Sequence, residues 1–473
     1  MSQGNCKDCD LEVFENSDKC IFHCEKSTWI TKVDPKDNDW DFGTEVAYYW
    51  DDKKVKKFWK KFKRLIKDKK DLSEKESYYR FDGFIFPRMS QDTFKDYIID
   101  CDLVFTKSCN FKDNVEFFNT TFNGKVYFNK CKIRGNVSFV KSIFNDRFTF
   151  NDMKEINEIY LRFARFEKKV EFKESECNEI DLENTTFKDL ADFYQSKFQI
   201  ANFTKTDFEK VSVFSECEFN CDVDFKYTKF LGKAIFMDTV ITGKLDLRNA
   251  IFEDDAYFLD ITSKKRDKKE GQFIGEPTEV KVANRETARV IKSFYDYFNN
   301  IIEANKFYAL EMKEREKELE EDKKNGKNLF EWLVFKIHGL ASNHSQDWLL
   351  SLFWIFSFTF SFVIQHYVNC YLLTNTLEYI LVDIFIFLSF LYGSYLIIEH
   401  EKINKFWYVG IFYVIYGFFI KDWSLSVFSN QLNPFSIMTG KEHLTFGGLI
   451  YKVIIAYLIY QLIISIRQNT RRK

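Results

Sequence analysis

The sequence predicts a mixed fold: a β-solenoid with flanking helices, followed by a C-terminal α-helical transmembrane bundle. Three observations carry that reading. A large apolar residue recurs at nearly every fifth or sixth position from Phe105 to Phe258. Charged residues fall from 124 of the first 344 positions to 16 of the last 129. Of 473 residues, 88 are aromatic and only 4 are Pro, which excludes collagen-like and disordered classes. A net charge of −2 argues against a nucleic-acid binder held by bulk charge.

The chain opens on a polar head, 1–35. Met1 to Asp10 is charged and cannot serve as the apolar core of a secretory signal, so the soluble part is expected in the cytosol. Eleven Cys in a cytosolic chain favour metal ligands or small core residues over disulfides. The head reads Cys6-x2-Cys9-x10-Cys20-x2-His23-Cys24. Two close pairs of soft ligands suit tetrahedral zinc. Five candidates compete for four places; the expected set is Cys6, Cys9, Cys20 and His23, with Cys24 the alternate. Four protein ligands leave no open position, so the zinc is expected to be structural. It would stabilise a head too small to fold on its core alone. A redox dithiol is the competing reading.

Residues 36–100 are expected to hold a basic amphipathic helix and an N-terminal cap. The stretch 51–71 carries 11 basic and 4 acidic residues. Val55, Phe58, Trp59, Phe62, Leu65 and Ile66 share one helical face. The other face presents Lys53, Lys57, Lys60, Lys61 and Arg64. Such a face can meet anionic membrane lipid, or simply be the solvated side of an end cap.

The solenoid is expected over 101–261. The apolar series has 29 positions, 22 of them Phe, and a small or β-branched residue stands two places earlier in 25 cases. No helix has that period. Alternate strand residues share a face, so each pair implies a short extended piece with polar corners between. None of the four Pro lies inside the series, as a hydrogen-bonded ladder requires. Cys109, Cys131, Cys177 and Cys217 fall in the inward register and read as core packing. The pattern resembles the pentapeptide-repeat proteins, in a Phe-centred variant with mixed five- and six-residue spacing. That resemblance implies a right-handed quadrilateral β-helix with four faces per coil and Phe stacked on Phe between coils. It also implies a binding role, since many members lack an assigned enzymatic activity. Some soluble members resemble DNA and inhibit gyrase, but that needs a strongly acidic rod, and residues 1–344 net only −4.

A charged linker is expected at 262–283, then a cytosolic helix or helical hairpin at 284–344 that breaks near Asn299–Asn300. Residues 345–473 read as a four-span transmembrane domain, with spans near 348–368, 377–398, 406–420 and 448–466. The distribution of Lys and Arg between the connections places both termini in the cytoplasm. The expected location is the plasma (inner) membrane of a bacterial cell. Asp383 and Lys452 fall at similar depths inside their spans and are expected to form an intramembrane charge pair, as helix glue or beside an ion pathway.

No nucleophile elbow, phosphate loop or dinucleotide fingerprint is present, and an enzyme is not expected. The expected function is a membrane-anchored scaffold whose solenoid docks a cytosolic protein partner, with membrane lipid as the other partner and no nucleic acid. The alternative is a channel or transporter-like protein with the solenoid as its regulatory domain. Four spans are few for a monomeric pore, so that alternative requires a homo-oligomer.

Overall fold

The computed structural model describes residues 6–33 (except 10 and 16), 47–67, 78–264, 267–269, 272–274, 278–371, 392, 405–435 and 446–470. The chain forms two compact units, Met1–Phe298 and Asn299–Lys473.

The first unit is a β-solenoid. Its short strands stack into parallel ladders of nine, ten and eight strands. Each inward residue meets its equivalent one turn on. Val115 pairs with Val137, then Ile159, Ile180, Ala201, Val223 and Leu245 follow in register. Alternation turns the apolar residues in, as in Asp102–Phe105, where Leu103 and Phe105 are buried. Along the nine-stranded ladder runs a column of nine Phe: 81, 105, 128, 150, 172, 193, 214, 236 and 258. Neighbouring centroids lie 4.4 to 5.6 Å apart. A second column joins Phe122, Phe144, Phe166, Phe187, Phe208, Phe230 and Phe252 at 4.6 to 5.3 Å. Each such aromatic pair adds roughly 0.5–1.5 kcal/mol beyond simple burial.

Two corners of each turn demand left-handed backbone. One row is Asn119, Lys141, Phe163, Asn184, Lys205, Tyr227 and Asn249; the other is Lys130, Asp152, Glu174, Gln195, Glu216, Asp238 and Asp260. Their φ values lie between 50° and 60°. A non-glycine residue there costs about 1–2 kcal/mol. An adjacent buried donor offsets part of it. Thr120, Ser142, Thr185, Thr206 and Thr228 follow the first row, and Ser175, Cys217 and Thr239 follow the second. Each donates to a carbonyl of the preceding turn at 2.6 to 2.9 Å. The small inward residues therefore do more than fill space: they tie one turn to the next.

The solenoid's limits differ from those expected. Tyr78–Phe81 already pairs with Asp102–Phe105, so the ladder starts upstream of 101. At the other end Lys281–Val282 adds to Lys244–Asp246, inside the expected linker. Asp267–Lys269 and Gln272–Ile274 in that linker form an antiparallel pair.

Both ends are capped. Helix α1 (Asp52–Lys67) buries Phe58, Trp59, Phe62 and Ile66. Phe62 packs on Phe81 at 5.1 Å and on Phe86 at 5.7 Å, and Trp59 donates to the Arg88 carbonyl at 2.9 Å. Helix α2 (Arg285–Tyr297) closes the far end. Asn284 caps its N-terminus by accepting from the Thr287 amide at 2.9 Å, and Thr287 Oγ1 accepts from the Leu247 amide. Phe294 covers Phe252 and Phe258. The segment expected as one domain at 284–344 is thus divided: α2 belongs to the solenoid, and the chain breaks at Asn299 (φ 58°) before the next helix.

The second unit begins with α3 (Ile301–Lys324), N-capped by Asn300, and α4 (Leu329–Ser342). These two form a hairpin held by Arg315–Glu331 at 2.5 Å and by Lys336 with Glu316 and Glu320. Then come α5 (Trp348–Tyr371), α6 (Lys405–Ile420), the short α7 (Ser426–Leu432) and α8 (Phe446–Thr470). Phe353, Trp354 and Ile355 of α5 and Tyr451, Ile455 and Leu458 of α8 share one core. Phe360, Val363, Tyr416 and Phe428 share another. Among the described residues, two helical stretches are long and apolar enough to cross a membrane, Trp348–Val368 (21 residues) and Gly447–Gln468 (22 residues). The third expected span appears as the shorter apolar helix Val409–Ile420. The second, 377–398, lies outside the described residues except for 392.

Candidate metal centre

The head is built around four donors. Cys6 and Cys9 lie on one turn, where the Cys9 amide donates to the Cys6 carbonyl. Cys20, His23 and Cys24 lie on a second turn, closed by amides of His23 and Cys24 onto the Cys20 carbonyl. These turns bring ligand atoms of Cys6, Cys9, Cys20 and His23 within 4.8 Å of one another. His23 Nδ1 lies 3.1 Å from Cys20 Sγ, 3.5 Å from Cys9 Sγ and 3.8 Å from Cys6 Sγ. Cys9 and Cys20 are 3.4 Å apart, sulfur to sulfur. Cys24, the fifth candidate, turns away, with its Sγ near the Ile21 carbonyl and 3.5 Å from Lys26 Nζ.

The rest of the geometry suits a soft metal. His23 Nε2 donates to the Asp82 carbonyl at 3.0 Å, which leaves Nδ1 facing the three sulfurs. A metal-bound His commonly has its other ring nitrogen fixed this way. The three sulfurs and one imidazole make the donor set of a closed structural site. Their protons are already displaced from the ordinary pattern. Burial raises the Cys20 thiol, but hydrogen bonds from His23 and the Phe22 backbone outweigh it and bring it down to about 6. The hydrogen bond with Cys20 raises His23 to about 9. Burial pushes Cys9 up to about 12. A cation at the centre would replace the protons these groups share.

The head is locked onto the first turn of the solenoid. The Phe22 carbonyl accepts from the Ile85 amide at 2.9 Å, extending the edge of the Ile85–Phe86 strand. Phe22 stacks on Phe84 at 4.9 Å and meets Phe58 edge-on at 5.3 Å. Gly83, at φ 70°, lies against the His23 ring. Beneath the head lies Lys26, which the sequence did not single out. It is fully buried and donates to the carbonyls of Cys24 at 2.6 Å and Ile21 at 2.9 Å. Its Nζ sits 4.7 Å from the Trp29 ring centre. Burial holds it below the usual ammonium range.

The other expected site residues lie apart from this centre. Lys53, Lys57, Lys60, Lys61 and Arg64 are exposed on α1, and Lys57 Nζ sits 4.9 Å from the Phe14 ring centre. Lys452 is buried on α8. It donates to the carbonyls of Gln431 at 2.6 Å and Asn433 at 3.0 Å, closing the C-terminal end of α7. Its expected partner Asp383 lies outside the described residues. A pair not foreseen is His338 and His344, whose Nδ1 atoms are 3.1 Å apart. Burial holds both below the usual imidazole range. Three successive left-handed residues, Asn343, His344 and Ser345, fold the second ring back onto the first.

Residues 107–154 and 203–251 match a family model described as pentapeptide repeats (9 copies). No curated protein and no solved structure matches the chain.

Proposed function

We propose that this chain, whose solenoid is built from pentapeptide repeats, works as a membrane-anchored scaffold. The observation that carries the reading is the pairing, in one chain, of a rigid solenoid capped at both ends with two helices long enough to span a bilayer. Solenoids bind through extended surfaces and need no reactive centre. Here the outer rows are regular: Asn157 donates to Asn136 at 3.0 Å and Asn178 to Asn157 at 3.2 Å, one above the other. The ligand is a cytosolic protein, and lipid holds the C-terminal helices. The remaining spans, the cytoplasmic placement of both termini and the inner-membrane location belong to this proposal. So does contact of the exposed α1 cations with anionic headgroups.

Zinc is the metal this reading assigns to Cys6, Cys9, Cys20 and His23. When bound, it supplies a tetrahedral cross-link and no open coordination position. The head, α1 and the first strands then act as one plug on the solenoid's N-terminal edge.

Cross-linking of the full chain in its native membrane, read by mass spectrometry, tests the scaffold. One recurrent protein joined to Lys168, Lys188, Lys210 or Lys229 on the solenoid's outer surface is the expected result. A specific observation favours a second reading, a channel-like oligomer. The short helix α7 packs Phe428 against Phe360, midway along α5, at 4.6 Å, and Lys452 closes its end. Ion flux in liposomes that Asp383→Ala abolishes, with no cross-link on the solenoid, would replace the scaffold by the channel.

A further inference from the structure

Helix α4 has two unlike faces. Its polar side is committed to α3: Glu331 takes Arg315, Lys336 takes Glu316 and Glu320, and Trp332 lies 3.4 Å beneath Lys323 Nζ. Its apolar side is exposed. Phe330 is 86% exposed, Val334 64%, Leu340 50%, Leu333 48% and Ile337 46%. Their spacing of three and four residues puts them on one stripe of a helix. At ~1.5 Å per residue the helix is ~21 Å long.

The place of this stripe in the chain says what covers it. α4 ends at Ser342 and the apolar helix α5 starts at Trp348. The two are joined rigidly. Ser351 of α5 donates to the Ala341 carbonyl at 2.9 Å, and Trp354 donates to the Leu340 carbonyl at 2.8 Å. The exposed stripe continues onto Trp348 and Leu349, the first residues of α5. The stripe carries no charge, so it offers nothing for an ion-paired protein surface.

We infer that α4 is an in-plane membrane helix, lying in the interface of the bilayer with Phe330, Leu333, Val334, Ile337 and Leu340 among the acyl chains. Its occupant is lipid. The hairpin partner α3 then sits on the aqueous side and α4 fixes the depth at which α5 enters. A helix with one apolar stripe and its charges on the opposite face is the form that binds at such an interface. The inference rests on reading α5 and α8 as membrane spans.

The full chain, with Cys221→Ser and Cys370→Ser, is reconstituted in vesicles of phosphatidylethanolamine and phosphatidylglycerol. A nitroxide is attached at Val334→Cys, and separately at Ile463→Cys on α8 and Lys317→Cys on α3. Relaxation by oxygen, which partitions into lipid, is compared with relaxation by a water-soluble nickel chelate. The account expects oxygen to dominate several-fold at residues 334 and 463, and the nickel chelate to dominate at 317. Nickel dominating at 334 while oxygen dominates at 463 overturns the in-plane helix and leaves the spans standing. Nickel dominating at 463 overturns both. Exclusion of both relaxants at 334 also overturns it, because the stripe is then covered by protein. Phe330→Cys repeats the measurement should the 334 variant fail to fold.

Discussion

Replacing Phe193 by Ala removes an inner member of the longer aromatic column. Phe193 is fully buried. It stacks on Phe172 at 5.3 Å and on Phe214 at 5.1 Å, and meets Phe203 edge-on at 5.8 Å and Phe187 at 6.1 Å. Buried Phe→Ala changes cost about 3–5 kcal/mol, and the rigid turns above and below restrict collapse into the cavity. Each ~1.4 kcal/mol is a factor of ten in an equilibrium constant. Amide exchange in the neighbouring turns of the full chain in detergent, read by mass spectrometry, should therefore accelerate on the order of a hundred- to several-thousand-fold. Solenoid turns contact only their neighbours, so α1 should change little. Phe163→Asn is the control: Phe163 is 53% exposed and left-handed at φ 58°. It should be neutral or slightly stabilising, within about 0.5–1 kcal/mol. An acceleration below about tenfold for Phe193→Ala, or an equal change at α1, would refute the stacked-column reasoning.

Three further outcomes are expected. Cys20→Ser should abolish zinc in elemental analysis of the purified chain, whereas Cys24→Ser should keep it; equal zinc in all three chains would remove the centre. Asn284→Ala should destabilise the α2 cap by about 1 kcal/mol, seen as faster amide exchange over 285–297. Asp246 should make that same cap acid-sensitive. Burial pushes its carboxyl up, but the Arg248 guanidinium at 2.7 Å, the Arg248 amide and the Asn284 amide at 2.8 Å bring it below its usual value. A lowered folded value means the stabilisation is complete above the unfolded carboxylate range, near 4, and is lost as pH falls through the lowered value. Protection of α2 should drop on acidification, and Asp246→Asn should flatten that dependence.

The solenoid was legible because its physics repeats. Phe105, Phe128, Phe150 and their successors must all face one core, so their spacing records the turn. The start was not legible: Tyr78–Phe81 and Ile85–Phe86 belong to longer turns that break the five- and six-residue beat. The small residues before each Phe were read correctly as inward, but not as donors. Nothing in a Thr or Cys distinguishes packing from a hydrogen bond to the turn below. The cluster of Cys6, Cys9, Cys20 and His23 was legible from Cys and His spacing, and only the fold could show Cys24 turning away. Lys452 was matched to Asp383, which lies outside the described residues, by sign and depth; its bonds to the Gln431 and Asn433 carbonyls were not foreseen, because carbonyl acceptors leave no trace in a sequence. His338 and His344 meet because the chain turns back at the left-handed run Asn343, His344 and Ser345. α4 escaped notice because its apolar stripe merges in sequence with the span that follows.

The central claim is that one chain joins a capped solenoid to the bilayer. Flotation of membranes after an alkaline carbonate wash tests it most directly, comparing the full chain with one ending at Phe298, the limit of the first unit. The account predicts that the full chain floats with lipid while the shortened chain stays in the soluble fraction with its solenoid amides still protected. A full chain released by carbonate would contradict it.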